Sequence, residues 1–375
     1  MAEILPLTPY ELQGDPGTQQ AAQLRSLLEP STLGGHSLKE CAERFDGLVS
    51  AGRFTRPAQP CLYIYRQQTG QRQFLGLWCQ LSSQGTEKDS ILGHEDVLKD
   101  KLQQQQAYRK KVGLEGSPIL AAYRRNATLD QLLRGWSMGV PDFSYQWKGQ
   151  LHEFYRIEKP EEISVIQEMV AGIERLYIAD GHHRLATAAS YQPKRSLSTV
   201  LVASDQLQVQ GYHRLIKLPS DFQRDKLLWA LEKQWYRSAI PANRPYIPNQ
   251  KGRMGMYLAG RWYQLDLRET DKLNQRPDTT LLQQTILAPG LGIHEPSTAP
   301  ALDYLSEGEL AEHLRTAQGE EADKIIFTLF PMGMEELMGY AENGIILPPK
   351  STWIEPRMPY GLLINHLHTN QNEKA

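Results

Sequence analysis

Two histidines and an arginine stand side by side at His182, His183 and Arg184, directly after Asp180-Gly181. The apolar run Leu176-Tyr-Ile-Ala before them reads as a short buried strand, and the Ala-rich stretch from Leu185 after them as a helix. A strand turning sharply into a helix gathers backbone N–H groups and the positive end of the helix dipole at the turn. Asp180 is expected to cap the helix, its carboxylate accepting from N–H groups two or three residues on. Gly181 permits the tight turn, and Arg184 adds a planar fork of donors that matches phosphate oxygens. Together these features make an anion site. The plain alternative is ordinary turn chemistry, with the histidines and arginine as surface donors. A metal site is the other rival, because Asp180, His182 and His183 are ligand types for zinc or a divalent transition metal. Adjacent histidines on a helix point about 100° apart, which places the metal reading below the phosphate reading.

The elements around this motif read as α+β, with mixed sheets and helices packed on them. Cys61-Leu-Tyr-Ile-Tyr and Phe74 to Leu81 are strand-like, joined by a turn at Gln67 to Arg72. Leu38 to Val49 has the spacing of a helix, Leu151 to Ile157 reads as a strand, and Pro160 opens a helix to about Ile173. A strand follows at Ser198 to Ser204, and Gln208 to Leu218 reads as another. Beyond about residue 220 come a helix at Asp225 to Gln234 and two short strands about the Ala259-Gly260 turn. A helix at Thr279 to Leu287, a strand at Lys324 to Phe330 and a helix at Met334 to Tyr340 complete the reading. The expected division is an N-terminal segment 1–60, a core 61–220 that carries the motif, and a C-terminal α+β region 221–375.

Composition narrows the function classes. The chain has 375 residues and a formal charge of −2, so it offers no general field for holding nucleic acid. Cys41, Cys61 and Cys79 are widely spaced, which excludes a disulfide framework or a cysteine-rich zinc site and favours a reducing, cytoplasmic setting. No apolar run is long enough for a membrane span and no signal peptide is visible, so neither a membrane nor a nucleic acid is an expected partner. Lys99, Lys101, Arg109, Lys110 and Lys111 read as a solvated helix face.

The Asp180 to Arg184 motif with its Ala-rich helix resembles the nucleotide-binding signature of the ParB/sulfiredoxin superfamily, some members of which are free-serine kinases. More closely, the chain is similar to the bacterial domain of unknown function 1015 family. The matching blocks are Gly93-His94-Glu95, Asp180 to Arg184, Gly211-Tyr-His213-Arg214-Leu, and Pro348-Pro-Lys-Ser-Thr-Trp-Ile-Glu-Pro-Arg with Gly361-Leu-Leu. The N-terminal segment departs from that family's pattern in lacking a Pro-Pro-Tyr-Asp stretch. His182 stands where sulfiredoxin has its catalytic cysteine, which argues against sulfinic acid reduction.

The resemblance implies a nucleotide-dependent phosphotransferase acting on a small hydroxylated metabolite, with free L-serine the favoured acceptor and ATP or ADP with Mg2+ as cofactor. In that reading Gly181 to Arg184 cradle phosphates, His182 and His183 steady the transferring group, and Asp180 caps the turn or binds the metal. Glu95 takes the hydroxyl proton, a role assigned by chain order, and Lys101 binds a phosphate. His213-Arg214 is a second anion contact or, equally, a strand pair facing solvent. Lys350, Ser351 and Thr352 hold phosphate or magnesium, or form a plain turn; the glycines of a Walker A loop are missing. Two other functions stay open: a nucleotide-binding regulatory protein without phosphotransfer, and a metal-dependent hydrolase built on Asp180, His182, His183 and His213.

Overall fold

The computed structural model describes residues 2–30, 35–82, 88–190, 196–240, 244–268, 276–296, 298–316 and 323–367. The chain forms two compact units. The first holds Met1–Gly93, Val97–Leu207 and Pro356–Ala375; the second holds His94–Asp96 and Gln208–Glu355. Residues 1–60, set apart by composition, thus belong to the first unit, and the long stretch of the second begins at Gln208. Among the described residues no helix is long and apolar enough to cross a membrane.

The first unit is built on a nine-stranded mixed sheet. Its order runs Ile91–Leu92, Leu176–Asp180, Ile119–Tyr123, Leu197–Ala203, Arg72–Leu81, Leu62–Thr69, Gln150–Ile157 and Phe143–Trp147, with Ile4–Leu5 added along Arg72–Leu81. The expected hairpin is present, and its register pairs Tyr63 with Trp78 and Thr69 with Arg72. Val200 lies opposite both Leu120 in a parallel ladder and Trp78 in an antiparallel one. Strands buried on both faces read as near-continuous apolar runs, as Val200 to Ala203 does, and the buried hydroxyls before it are bonded, Ser198 to Trp78 Nε1 and Thr199 to the Leu197 carbonyl. One face packs Ile64, Leu77, Ala121, Ile178 and Leu201 with Ile166 and Val170 of the helix Pro160–Ala171. Elsewhere Tyr65, Trp78 and Phe154 pack ring to ring. A four-stranded sheet joins Phe54–Thr55, Tyr10–Leu12, Leu363–His366 and Leu114–Glu115.

The second unit is a six-stranded antiparallel sheet, ordered Trp235–Ala239, Arg261–Leu267, Arg253–Leu258, Lys324–Leu329, His213–Lys217 and Leu302–Leu305. A core of Met254, Met256, Leu265, Ile325 and Phe327 closes against Leu227, Leu231 and Leu281 from helices. The strand expected over Gln208 to Leu218 is two strands. Gln208–Gln210 pairs with Trp353–Glu355, and His213–Lys217 joins the large sheet. The break falls at Gly211, where a Cβ would lie 2.6 Å from His213 Cε1 and 2.9 Å from the Leu329 carbonyl. The helix expected over Thr279 to Leu287 is α-helical at Asp278–Leu282, then widens to a π-turn at Gln283–Leu287. Pro289 follows at once and has no N–H with which to continue the ladder.

Two expectations are overturned. Arg109 does not sit on a solvated helix face: it is 6% exposed and ion-paired to Glu115 at 2.6 Å, because a buried guanidinium needs a carboxylate. His213 and Arg214 do not face solvent, at 0% and 3% exposure, since their strand is interior to the six-stranded sheet.

Candidate functional site

In the first unit the strand Leu176–Asp180 ends in a β-bulge, where its register against Ile119–Tyr123 shifts between Ile178 and Asp180. A bulge re-aims the side chains beyond it. The next residue, Gly181, has φ 103° and ψ 25°, and the helix His182–Ala189 starts there with Leu185 N–H donating to the Gly181 carbonyl at 3.0 Å. Only glycine takes this backbone readily. The absence of a Cβ matters too, because one would stand 2.7 Å from Ile119 Cγ2 and 3.0 Å from Arg184 Nε and Nη2. The Arg184 guanidinium therefore folds back against the turn itself.

The cap is not the one the sequence suggests. Gly181 is the N-cap residue, with no side-chain cap bond, and Asp180 is the last residue of the strand. Its carboxylate instead accepts from Arg184 Nη2 at 2.9 Å and faces Arg357 Nη1 at 3.5 Å. The positive φ at Gly181 turns the chain away from the path an Asp cap would need. Arg184 Nη1 also donates to the Ser117 carbonyl at 3.0 Å. Arg184 is thus fixed by two anchors, which spares the entropy of ordering it when a ligand arrives. It lines a cleft of about 470 Å³, mouth included, together with Ser117, Ile119, Tyr108, Arg109 and Tyr360.

The two histidines differ. Burial pushes His182 down to about 4, so it is a neutral imidazole at pH 7 and can exchange hydrogen bonds but brings no charge. A Cβ at Gly93 would meet its Cδ2 at 3.3 Å. His183 Nε2 accepts from the backbone N–H of Leu98 at 3.0 Å, where the helix Lys99–Lys111 begins. That bond requires Nε2 without a proton. Lys101, half-buried, lies in the first turn of the same helix.

The other blocks gather in the second unit. Glu95 forms an isolated parallel bridge with Leu347, and Leu347 N–H donates to the His94 carbonyl at 2.7 Å. Next along the chain from Leu347 comes the Pro348 to Thr352 turn. Lys350 takes φ 62°, an uncommon conformation for a residue with a Cβ. Its carbonyl accepts from Arg214 Nη2 at 3.0 Å, and the carbonyl of Tyr212 accepts from Nη1 at 2.7 Å. The guanidinium lies 4.5 Å from the Tyr304 ring centre, and the Lys350 ammonium 5.7 Å from that of Tyr212. Burial lowers Arg214 to about 10, which leaves it charged at neutral pH, with Glu95 acting to raise it. The remaining polar groups of these blocks serve the fold. Ser351 Oγ donates to the Pro348 carbonyl at 2.6 Å and shares a hydrogen bond with Thr279 Oγ1 at 3.2 Å, and Thr352 Oγ1 bonds His94 Nε2 at 3.3 Å. His213 Nδ1 accepts from Leu329 N–H at 3.2 Å, and burial holds it down to about 4.

The candidate residues thus form two groups. Asp180, Gly181, His182, His183, Arg184 and Lys101 belong to the first unit; Glu95, His213, Arg214, Lys350, Ser351 and Thr352 belong to the second. Sequence reasoning missed Arg357, Ser117 and Tyr360 as members of the first group. Arg357 stands in the C-terminal block, and only a pairing made across 177 residues reveals that it faces Asp180. Among the described residues no three His, Cys, Asp or Glu side chains converge to hold a metal ion, the set that a metal-dependent hydrolase would need.

The family model described as "Protein of unknown function (DUF1015)" matches residues 26–288, well over half of the chain. No curated protein matches it significantly. Among solved structures the chain is similar to a variant of a free serine kinase in complex with AMP, at 14% identity and TM-score 0.44, covering 78% of this chain and 91% of that one. It is also similar to C-terminally truncated SbnI from Staphylococcus aureus, at 10% identity and TM-score 0.44, covering 76% and 91%. A conserved hypothetical protein from Pyrococcus furiosus matches at 13% identity and TM-score 0.42, covering 77% and 95%.

Proposed function

We propose, from the premise that the chain belongs to the DUF1015 family, that it binds the phosphates of a nucleotide at Gly181 to Arg184 and transfers a phosphoryl group to a small hydroxylated metabolite. The observation that carries this is the turn itself. A bulged strand ends in a left-handed glycine, a helix starts on it, and an arginine anchored by Asp180 and the Ser117 carbonyl lies beside an open cleft. Phosphoryl transfer asks for positioned positive charge more than for covalent chemistry. Arg184 supplies that charge, and the first-turn N–H groups of the helix add to it. His182, neutral at pH 7, serves as a hydrogen-bonding partner rather than a counter-ion.

ATP or ADP is the nucleotide of this reading, and L-serine is the acceptor that the motif's resemblance to free-serine kinases implies. Asp180 stands between two guanidinium groups, which suits a carboxylate that orients arginines better than one that cages a divalent ion. Magnesium, which would neutralise phosphate charge, therefore belongs with the nucleotide's own oxygens. The role of taking the acceptor's proton falls to Glu95 by chain order in the resemblance alone, and Glu95 belongs to the second unit.

The test is an assay of the purified protein with ATP or ADP and magnesium across hydroxylated acceptors, read as phosphorylated product, alongside calorimetry with each nucleotide. Phosphoserine formation supports the full reading. Nucleotide binding without product favours a regulatory protein, and no nucleotide binding at all removes both.

A further inference from the structure

The carboxylate at the phosphate turn faces two guanidinium groups. Arg184 Nη2 donates to Asp180 Oδ2 at 2.9 Å, while Arg357 Nη1 lies 3.5 Å from Oδ1. One negative charge thus meets two positive ones, and the trio keeps a net positive charge. The other guanidinium of the cleft, Arg109, is matched one to one by Glu115. Asp180 offsets one of the turn's two guanidinium charges, so the surplus of the trio depends on Arg357. Two like charges drawn to one carboxylate gain from the arrival of a further anion.

The two arginines are held differently. Arg184 gives its donors to Asp180 and the Ser117 carbonyl, and its side chain is 18% exposed. Arg357 makes the longer contact and its side chain is 45% exposed, within reach of a solute. Its backbone is nonetheless fixed. Pro356 and Pro359 restrict the chain on either side, and Met358 between them is buried. Tyr360 lines the cleft beside Arg184, and Gly361 N–H donates to the Gly116 carbonyl at 2.7 Å. The pair Gly116-Ser117 therefore anchors both arginines, Arg184 directly and Arg357 through the segment that carries it.

We propose that Arg357 is a second phosphate ligand of this site, supplying the charge that Asp180 takes from Arg184. The identity of the ligand rests on the nucleotide reading; the chemistry rests on the trio. A guanidinium fork matches two phosphate oxygens, and a backbone already in place lowers the cost of ordering it. A lone carboxylate ligand would bring one charge and two oxygens. The helix start and Arg184 beside Arg357 favour an anion with more of both.

The probes are ATP and tripolyphosphate, titrated into the full chain by calorimetry. Arg357→Gln should weaken both about ten- to a hundredfold and flatten the dependence of affinity on salt. Arg357→Lys keeps the charge and loses the fork, so it should recover part of the affinity and most of the salt dependence. The melting midpoint of Arg357→Gln should stay with the parent's, because an exposed ion pair adds little stability. Equal losses for the two probes support a contact to phosphate. A loss confined to ATP would put Arg357 on the base or ribose and overturn the assignment. Parental affinity for both probes in Arg357→Gln, or a loss that lysine fails to recover, would overturn it as well. A parent that takes up tripolyphosphate but not ATP would end the nucleotide reading and leave Arg357 a phosphate ligand; a parent that takes up neither would end both.

Discussion

Gly181→Ala tests the turn from which the nucleotide reading starts. Two costs add. The backbone at φ 103° suits glycine, and holding a residue with a Cβ there costs about 1–3 kcal/mol. The new methyl would also lie 2.7 Å from Ile119 Cγ2 and 3.0 Å from the Arg184 guanidinium. Ile119 is 1% exposed in a central strand and cannot retreat cheaply, so overpacking adds about 1–3 kcal/mol. Arg184 can give way more easily, which places the sum near 3 kcal/mol. In a unit of this size each kcal/mol moves the midpoint by about 2–4 °C, so the transition of the first unit should fall by roughly 6–12 °C. Gly47→Ala is the control. Gly47 lies within the helix Leu38–Ser50 with nothing within 4 Å of a built Cβ, and alanine there should stabilise by about 0.5–1 kcal/mol. Scanning calorimetry reads both variants, and ATP titration reads the second effect, a loss of affinity as the guanidinium is pushed from its anchors. A Gly181→Ala protein that melts with the parent and binds ATP equally well would show that the turn is neither strained nor a phosphate cradle.

The remaining expectations concern charge and protons. Arg184→Ala should weaken ATP binding by roughly 1.5–3 kcal/mol, about ten- to a hundredfold by calorimetry, and an unchanged dissociation constant would take Arg184 out of the site. Glu95→Gln should keep the parental nucleotide affinity and remove phosphorylated product; full turnover in this variant would end the role assigned to Glu95. Three histidines, His152, His182 and His213, are held down to about 4 by burial, against an ordinary value of 6.5. Each takes up its proton more readily unfolded than folded, so stability should decline as pH falls from about 6.5 towards about 4. His152→Gln should flatten that slope in urea titrations at several pH values, and an equal slope would refute the assignment. Asp278 has the opposite sign: raised from 3.8 to about 7, it favours the folded state most below its unfolded value, and that contribution fades as pH rises through about 7. The stability of Asp278→Asn relative to the parent should therefore improve with rising pH over that window.

Local signals in the sequence carried the local structure well. The hairpin of Leu62–Thr69 with Arg72–Leu81, the helix opened by Pro160 and the strand-to-helix turn at Gly181 each depend on residues within a few positions of one another. The cap was misread because Asp180 followed by glycine satisfies the rule for an N-cap, and nothing local announces that two guanidinium groups claim the carboxylate. One of those, Arg357, arrives from 177 residues away, and the pairing of Tyr10–Leu12 with Leu363–His366 spans nearly the whole chain. Such pairings leave no period in a sequence. The blocks at Gly93 to Glu95, Gly211 to Leu215 and Pro348 to Arg357 stand out through the family resemblance, and a division read near residue 220 puts the first two with the motif and apart from the third, whereas His94–Asp96 and Gln208–Glu355 form one unit. The structure explains their types: Gly211 lets His213 and the Leu329 carbonyl approach, Glu95 bridges Leu347, and Lys350 bends so that its carbonyl meets Arg214. Asp278 escaped notice for a related reason. An acid after a proline at the start of a helix is the ordinary way to favour the dipole, and nothing local announces that this one is buried beside a lysine already paired with Glu336.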